Sequence, residues 1–269
     1  MKTFGKIFNT CVYVLLYAPL LIMVFFSFNE SKSTSVFTGF SLKWYEELFS
    51  KRDIMESLRN TLVLAVLSAL IATVLGTLAA VGLYRMKNKV LYSTMNTVTN
   101  IPMMNPDIVT GVSLMLLFVF AGRLLGAKES LSFVTLLIAH VTFNLPYVIL
   151  NVLPKLRQTD EHLYEAALDL GCTPIKSFFK VVLPAISSGI LSGALMAFTL
   201  SLDDFVISYY TTGADFQTLP LKIFAMTKKT VKPDMYALST LMFFAILILL
   251  IVINVLQEKS DRKNKGVGK

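Results

Sequence analysis

Glu165-Ala166-Ala167-Leu168-Asp169-Leu170-Gly171 is followed, twelve residues after the glycine, by Leu183-Pro184. This segment is polar and helix-forming, and it sits between two long apolar runs. Asp160 and Glu161 stand just upstream, where carboxylates favour the positive end of a helix dipole. Ala, Leu and Glu are strong helix formers. Gly171 can take a positive φ and close the helix. Thr173-Pro174 then offers an N-cap and a proline at the first helical position. The spacing predicts helix, glycine turn, then a second helix over Ile175–Val182 that stops at Pro184. Ala166 and Ala167 leave room for another surface to approach, and Glu165 is placed to pair with a basic group on it.

Outward from this loop the chain reads as six membrane spans. They run Phe8–Phe28, Asn60–Tyr84, Ile101–Ala121, Leu131–Leu153, Ala185–Tyr210 and Tyr236–Leu256. Each has the ~20 apolar residues that cross ~30 Å of hydrocarbon. The expected fold is therefore an all-α polytopic membrane protein. Residues 1–56 form a first helix and an extracytoplasmic segment, 57–256 a core with its loop at 154–184, and 257–269 a basic tail. The apolar run after Lys6 is too long for a signal peptide and lacks a small-residue cleavage site, so it reads as a retained helix.

Six spans put both termini on one side. With the termini inside, the inner segments carry 14 Lys/Arg and the outer ones 11. Local signals agree: Arg85, Lys87 and Lys89 come without acids, and the tail carries Lys259, Arg262, Lys263, Lys265 and Lys269. In the first outer segment, an amphipathic helix over Leu42–Phe49 carries Trp44 and Tyr45, expected at the headgroup level.

Composition agrees with a membrane protein. Apolar residues make up 55% and charged residues 16%, with a mean hydropathy of +0.65; soluble domains carry roughly 25% charged residues. The net charge of +8 lies in short loops and tails flanking apolar runs, which suits anionic lipid headgroups and excludes nucleic acid as the partner. Cys11 and Cys172 make no disulfide framework, and His140 and His162 have no metal-ligand spacing around them.

The loop closely resembles that of ABC importer permeases, E-A-A-x-x-x-G-x9-I-x-L-P, with Val181 in place of Ile. Further strings extend the likeness: Asn105-Pro106-Asp107-Ile108-Val109, Ser201-Leu202-Asp203-Asp204-Phe205-Val206 and Leu219-Pro220-Leu221-Lys222-Ile223. From about Tyr17 to Leu256 the chain is similar to the spermidine/putrescine importer permeases, the second of their two membrane subunits. That resemblance implies a second, homologous permease subunit, two copies of an ABC ATPase and an extracytoplasmic polyamine-binding protein. It implies that Glu165, Ala166, Ala167, Leu168, Asp169 and Gly171 dock the ATPase, and that transport works by alternating access. ATP and Mg would be bound by the ATPase. The chain itself has no G-x-x-x-x-G-K-[ST] phosphate loop, so no cofactor is expected on it.

The residues within the spans point the same way. Asp107, Asp203 and Asp204 are the three acids within them. A charge at mid-bilayer costs ~2.5–3.5 kcal/mol or more, so such groups face a pathway or a partner. Uncompensated acids suit a cationic substrate, and Phe198, Phe205, Tyr209 and Tyr210 are near enough in sequence to add cation–π contacts. Asp203 and Asp204 project about 100° apart on an intact helix, so both line one pathway only if the helix breaks. Either could instead cap a helix, as could Asp107 after Pro106. His140 reads as a packing or hydrogen-bonding residue. A membrane-embedded aspartyl enzyme would need acids on two matching spans, and a stand-alone carrier would need no docking loop. Other importer substrates, such as ferric iron, thiosulfate, opines or other organic cations, stay open.

Overall fold

The computed structural model describes residues 2–31, 36–160, 162–228 and 233–266. Glu161 and residues 267–269, with Lys269 among them, lie outside that set. Among the described residues the regular structure is helical, apart from one antiparallel bridge between Asn29 and Phe40. Five helices are long and apolar enough to cross a membrane, and a bent pair makes a sixth if counted as one span.

The chain divides into two compact units. The first joins Met1–Leu58 to Leu219–Leu249. It holds α1 (Lys2–Ser27), α2 (Lys43–Ser50), the start of α3 (Arg52–Tyr84), α12 (Leu219–Thr227) and the first part of α13 (Pro233–Gly266). Its core is Leu48, Ile54, Leu219 and Leu238. Polar pairs frame this core: Lys51 Nζ reaches Asp234 at 2.8 Å and Glu47 at 3.0 Å, and Lys222 Nζ reaches Asp53 at 2.7 Å. Burial pulls the Lys51 ammonium down, but its bonds to Asp234 and Glu47 outweigh that and hold it above its ordinary range. Helix α2 falls where the amphipathic pattern put it, but Trp44 is not a belt residue. It is only 5% exposed, and its indole N–H donates to the Asn29 carbonyl at 2.6 Å. The Asn29 side chain in turn accepts from Thr38 N–H at 3.0 Å and donates to Val36 O at 2.8 Å, organising the extended segment before α2.

The second unit comprises Arg59–Thr218 with Leu250–Lys269. In chain order it contains the body of α3, α4 (Lys89–Met104), α5 (Asp107–Leu124), α6 (Phe133–Gln158) and α7 (His162–Asp169). Then come α8 (Pro174–Ser177), a π-helical turn over Phe178–Val182, α9 (Leu183–Ala185), α10 (Ser187–Asp203) and α11 (Val206–Thr211). Helix α6 is its axis, with Val148 and Val152 fully buried beside Ala72, Ala80, Ile186 and Ala197. Small residues bring the backbones together, as is usual where lipid supplies no hydrophobic drive between helices. A Cβ on Gly76 would sit 2.7 Å from Val148 Cβ, and one on Gly193 would sit 3.2 Å from Val148 Cα.

Two expected spans are broken. The run Ile101–Ala121 splits between α4 and α5, because Pro106 has no N–H and holds Asn105 extended at φ −78°, ψ 141°. The run Ala185–Tyr210 ends its main helix at Asp203, and α11 restarts after Asp204 and Phe205. The second loop helix also does not stop at Pro184. Leu183 N–H reaches back to Phe178 O, five residues away, because proline cannot serve the usual ladder to Lys180 and would crowd its carbonyl. The chain then bends by 70° at Ile186 into α10.

Candidate functional site: the loop helix and the broken span

The predicted helix–turn–helix forms at 162–177. Asp160 Oδ1 accepts from His162 N–H at 3.0 Å and so caps the start of α7. Gly171 sits at φ +82°. Its N–H donates to Leu168 O at 2.9 Å and Cys172 N–H donates to Ala167 O at 3.0 Å, the paired bonds of a Schellman close. The Thr173 hydroxyl accepts from Lys176 N–H, with Pro174 at the first helical position.

The two alanines part company. Ala166 is exposed, while Ala167 is buried against its own chain. Glu165 and Asp169 are exposed and Leu168 is half-buried. The outward surface also carries apolar residues the motif reading passed over: Leu170 is 87% exposed, Ile175 72% and Phe179 58%. The signal for them was available, since large apolar side chains in a polar loop that leave no helix face to hide them require an outside partner.

The acids of the spans also separate. Asp107 opens α5 and is exposed. Asp203 is the last residue of α10 and is exposed. The Asp204 side chain is 7% exposed and turned inward, accepting from Ile207 N–H at 3.2 Å and Ser208 N–H at 2.8 Å. It therefore caps α11, and the helix break between the two acids sends their carboxylates to different surroundings. Phe205 and Tyr209 follow, ring centroids 5.6 Å apart.

Behind the break lies a buried polar network that the sequence pattern alone does not assemble. His140 Nδ1 is 3.1 Å from Ser201 Oγ, and its Nε2 is 3.0 Å from Ser208 Oγ and 3.5 Å from Asp204 Oδ2. Asn144 Nδ2 donates to Ser201 Oγ at 2.7 Å, and Ser68 Oγ lies 2.9 Å from the same oxygen. Four elements, α3, α6, α10 and α11, are thus joined by hydrogen bonds in an otherwise apolar core. The clue in the sequence was His140 and Asn144, four apart in an apolar run and so on one helix face. Among the described residues, no group of His, Cys, Asp or Glu is arranged to hold a metal.

Comparison with known proteins gives this geometry a context. The family model described as "Binding-protein-dependent transport system inner membrane component" matches residues 72–266. The putrescine transport system permease protein PotI of Escherichia coli (strain K12) is 38% identical over 93% of this chain and 89% of its own length. The spermidine/putrescine transport system permease protein PotC of the same strain is 37% identical over 96% of both chains. In fold, the chain is similar to a bacterial ABC transporter involved in the import of alginate, with a TM-score of 0.73 over 97% of this chain and 95% of that one at 14% identity. A MetNI methionine ABC transporter gives a TM-score of 0.58 over 81% of this chain and 99% of that one at 19% identity. The chain belongs to the family of binding-protein-dependent transport system inner membrane components, as a permease subunit of ABC-importer fold.

Proposed function

We propose that this chain is a permease subunit of an ATP-driven importer for polyamines, spermidine or putrescine, working by alternating access. A second homologous permease, two ATPase subunits and an extracytoplasmic polyamine-binding protein complete the complex, with both termini in the cytoplasm. The likeness to permeases named for putrescine and spermidine supports the substrate class. The observation that carries it in this molecule is Asp203, an exposed carboxylate at a helix break, with Phe205 two residues on and its ring 5.6 Å from that of Tyr209. A carboxylate next to aromatic faces is the chemistry that holds an ammonium group. Asp107 is the second candidate. Asp204 supports the site indirectly, by fixing the break.

Glu165, Ala166, Leu168, Asp169 and Gly171 would present the docking surface for the ATPase, with Leu170, Ile175 and Phe179 as its apolar part; Ala167 holds the helix to its own chain. Residues 57–256 would form the transport core, 1–56 an added helix and outer segment, and 257–269 the tail. Closure of the ATPases would pull α7, and the 70° bend would pass that motion into α10.

The test is uptake by Asp203→Asn and Asp204→Asn complexes in proteoliposomes. Asp203→Asn should raise the KM for polyamine by about tenfold, the equivalent of ~1.4 kcal/mol, with assembly intact. Asp204→Asn should lower stability more than it changes KM, because the amide keeps only one of the two acceptor oxygens that hold Ile207 and Ser208 N–H. Wild-type KM for Asp203→Asn would remove that carboxylate from the pathway.

A further inference from the structure

The ends of α3 and α6, the inner face of α7 and the π turn enclose a cavity of about 530 Å³. That is within the ~300–1,000 Å³ of ordinary ligand pockets. Its floor is apolar, with Val81, Leu156, Leu163, Phe178 and Val182. Its rim carries Arg85 and Lys87. They belong to the short turn between α3 and α4, which has no acid and is followed by Lys89 at the start of α4.

The charges on the rim are not equivalent. Arg85 lies over the Tyr164 ring, 4.8 Å from its centroid. A guanidinium stacked this way keeps its in-plane N–H edge for a planar or tetrahedral anion. It also covers one face of the Tyr164 ring. Of the two acids on the rim, Asp160 accepts from the α7 backbone, and Glu165 is 72% exposed and 3.5 Å from His162. All four charged groups line the cavity, and Arg85 and Lys87 are the pair that can take an anion.

We propose that this cavity binds one anionic phospholipid. Its phosphate would lie at Arg85 and Lys87, and the first part of an acyl chain would cover the apolar floor. A free phosphate would leave that floor wet, whereas a lipid satisfies both halves of the lining. The placement fits a pocket with one basic edge between helix ends at a membrane surface, and it rests on the proposed orientation, in which this end of α3 faces the cytoplasm. Because α7 and the π turn both wall the cavity, the bound lipid would brace the loop that the ATPase pulls.

The experiment is native mass spectrometry on the complete permease–ATPase complex, reconstituted in phosphatidylcholine with and without phosphatidylglycerol. Wild type should retain phosphatidylglycerol, and the Arg85→Gln/Lys87→Gln complex should lose it several-fold. Val182→Trp, which fills the floor and leaves the charges alone, should displace it too. Retention by both variants would overturn the proposal. So would displacement of the lipid by glycerophosphate as effective as that by whole phosphatidylglycerol, which would assign the site to the phosphate alone. A photo-crosslinker at Val182 that captures the ATPase instead of lipid would overturn it as well. Lipid retention is read without any substrate, so failure of polyamine uptake would leave the result standing.

Discussion

At the residue scale, single positions decide what the backbone does. Gly171 at φ +82° closes α7, and an alanine there would be strained by about 1–2 kcal/mol. Asp204 captures two N–H groups and so restarts a helix that hydrophobicity alone would continue. Trp44 shows the limit of residue-type reasoning. Its type suggested a place at the headgroups, but a buried carbonyl at Asn29 needed a donor and the indole supplies it. Trp44→Phe keeps the apolar ring and removes the donor. It should lower stability by about 0.5–1.5 kcal/mol, the net contribution of one intramolecular hydrogen bond, read as a fall in melting temperature of the purified protein. An unchanged melting temperature would mean that the bond contributes nothing.

At the element scale, the existence of the spans was legible because a run of ~20 apolar residues matches the thickness of the hydrocarbon layer. The breaks within them were less so. Pro106 announces one break by its missing N–H. The break at Asp204 depends on side-chain bonds to Ile207 and Ser208, and on His140 arriving from α6 to meet Ser201 and Ser208; composition averages cannot see them. The loop helix was legible to the residue, from its acids to Gly171, because its caps are local. Its continuation through Pro184 was not, because a π turn accommodates the proline instead of stopping there. Packing of α3 on α6 makes a sharper test. Gly76→Ala would press a methyl to 2.7 Å from Val148, and overpacking of this kind costs ~1–3 kcal/mol. Gly82→Ala on the same helix, where nothing lies within 4 Å of the new methyl, should carry no such cost. A Gly76→Ala variant as stable as Gly82→Ala would mean that this contact does not set the helix spacing.

At the scale of the whole molecule, the chain is a transport subunit whose work depends on others. Its exposed apolar loop residues, the exposed Asp107 and Asp203 and the long exposed apolar surfaces of α1 and α5 all make sense as surfaces for partners, substrate or bilayer. The family was legible in the loop motif because the motif sets residue types at fixed spacing from Glu165 to Pro184. The substrate class was legible through the likeness to polyamine permeases; the carboxylates point only to a cation, a proposed role that the Asp203→Asn uptake test addresses. The measurement that tests the central claim most directly is uptake of labelled putrescine and spermidine into proteoliposomes holding this chain with its partner permease, its ATPase and the binding protein. The account predicts uptake that requires ATP and every component, and that is abolished by Glu165→Ala with Gly171→Ala while the complex stays assembled. An intact, ATP-hydrolysing complex that moves neither polyamine, or uptake that survives the loop substitutions, would contradict it.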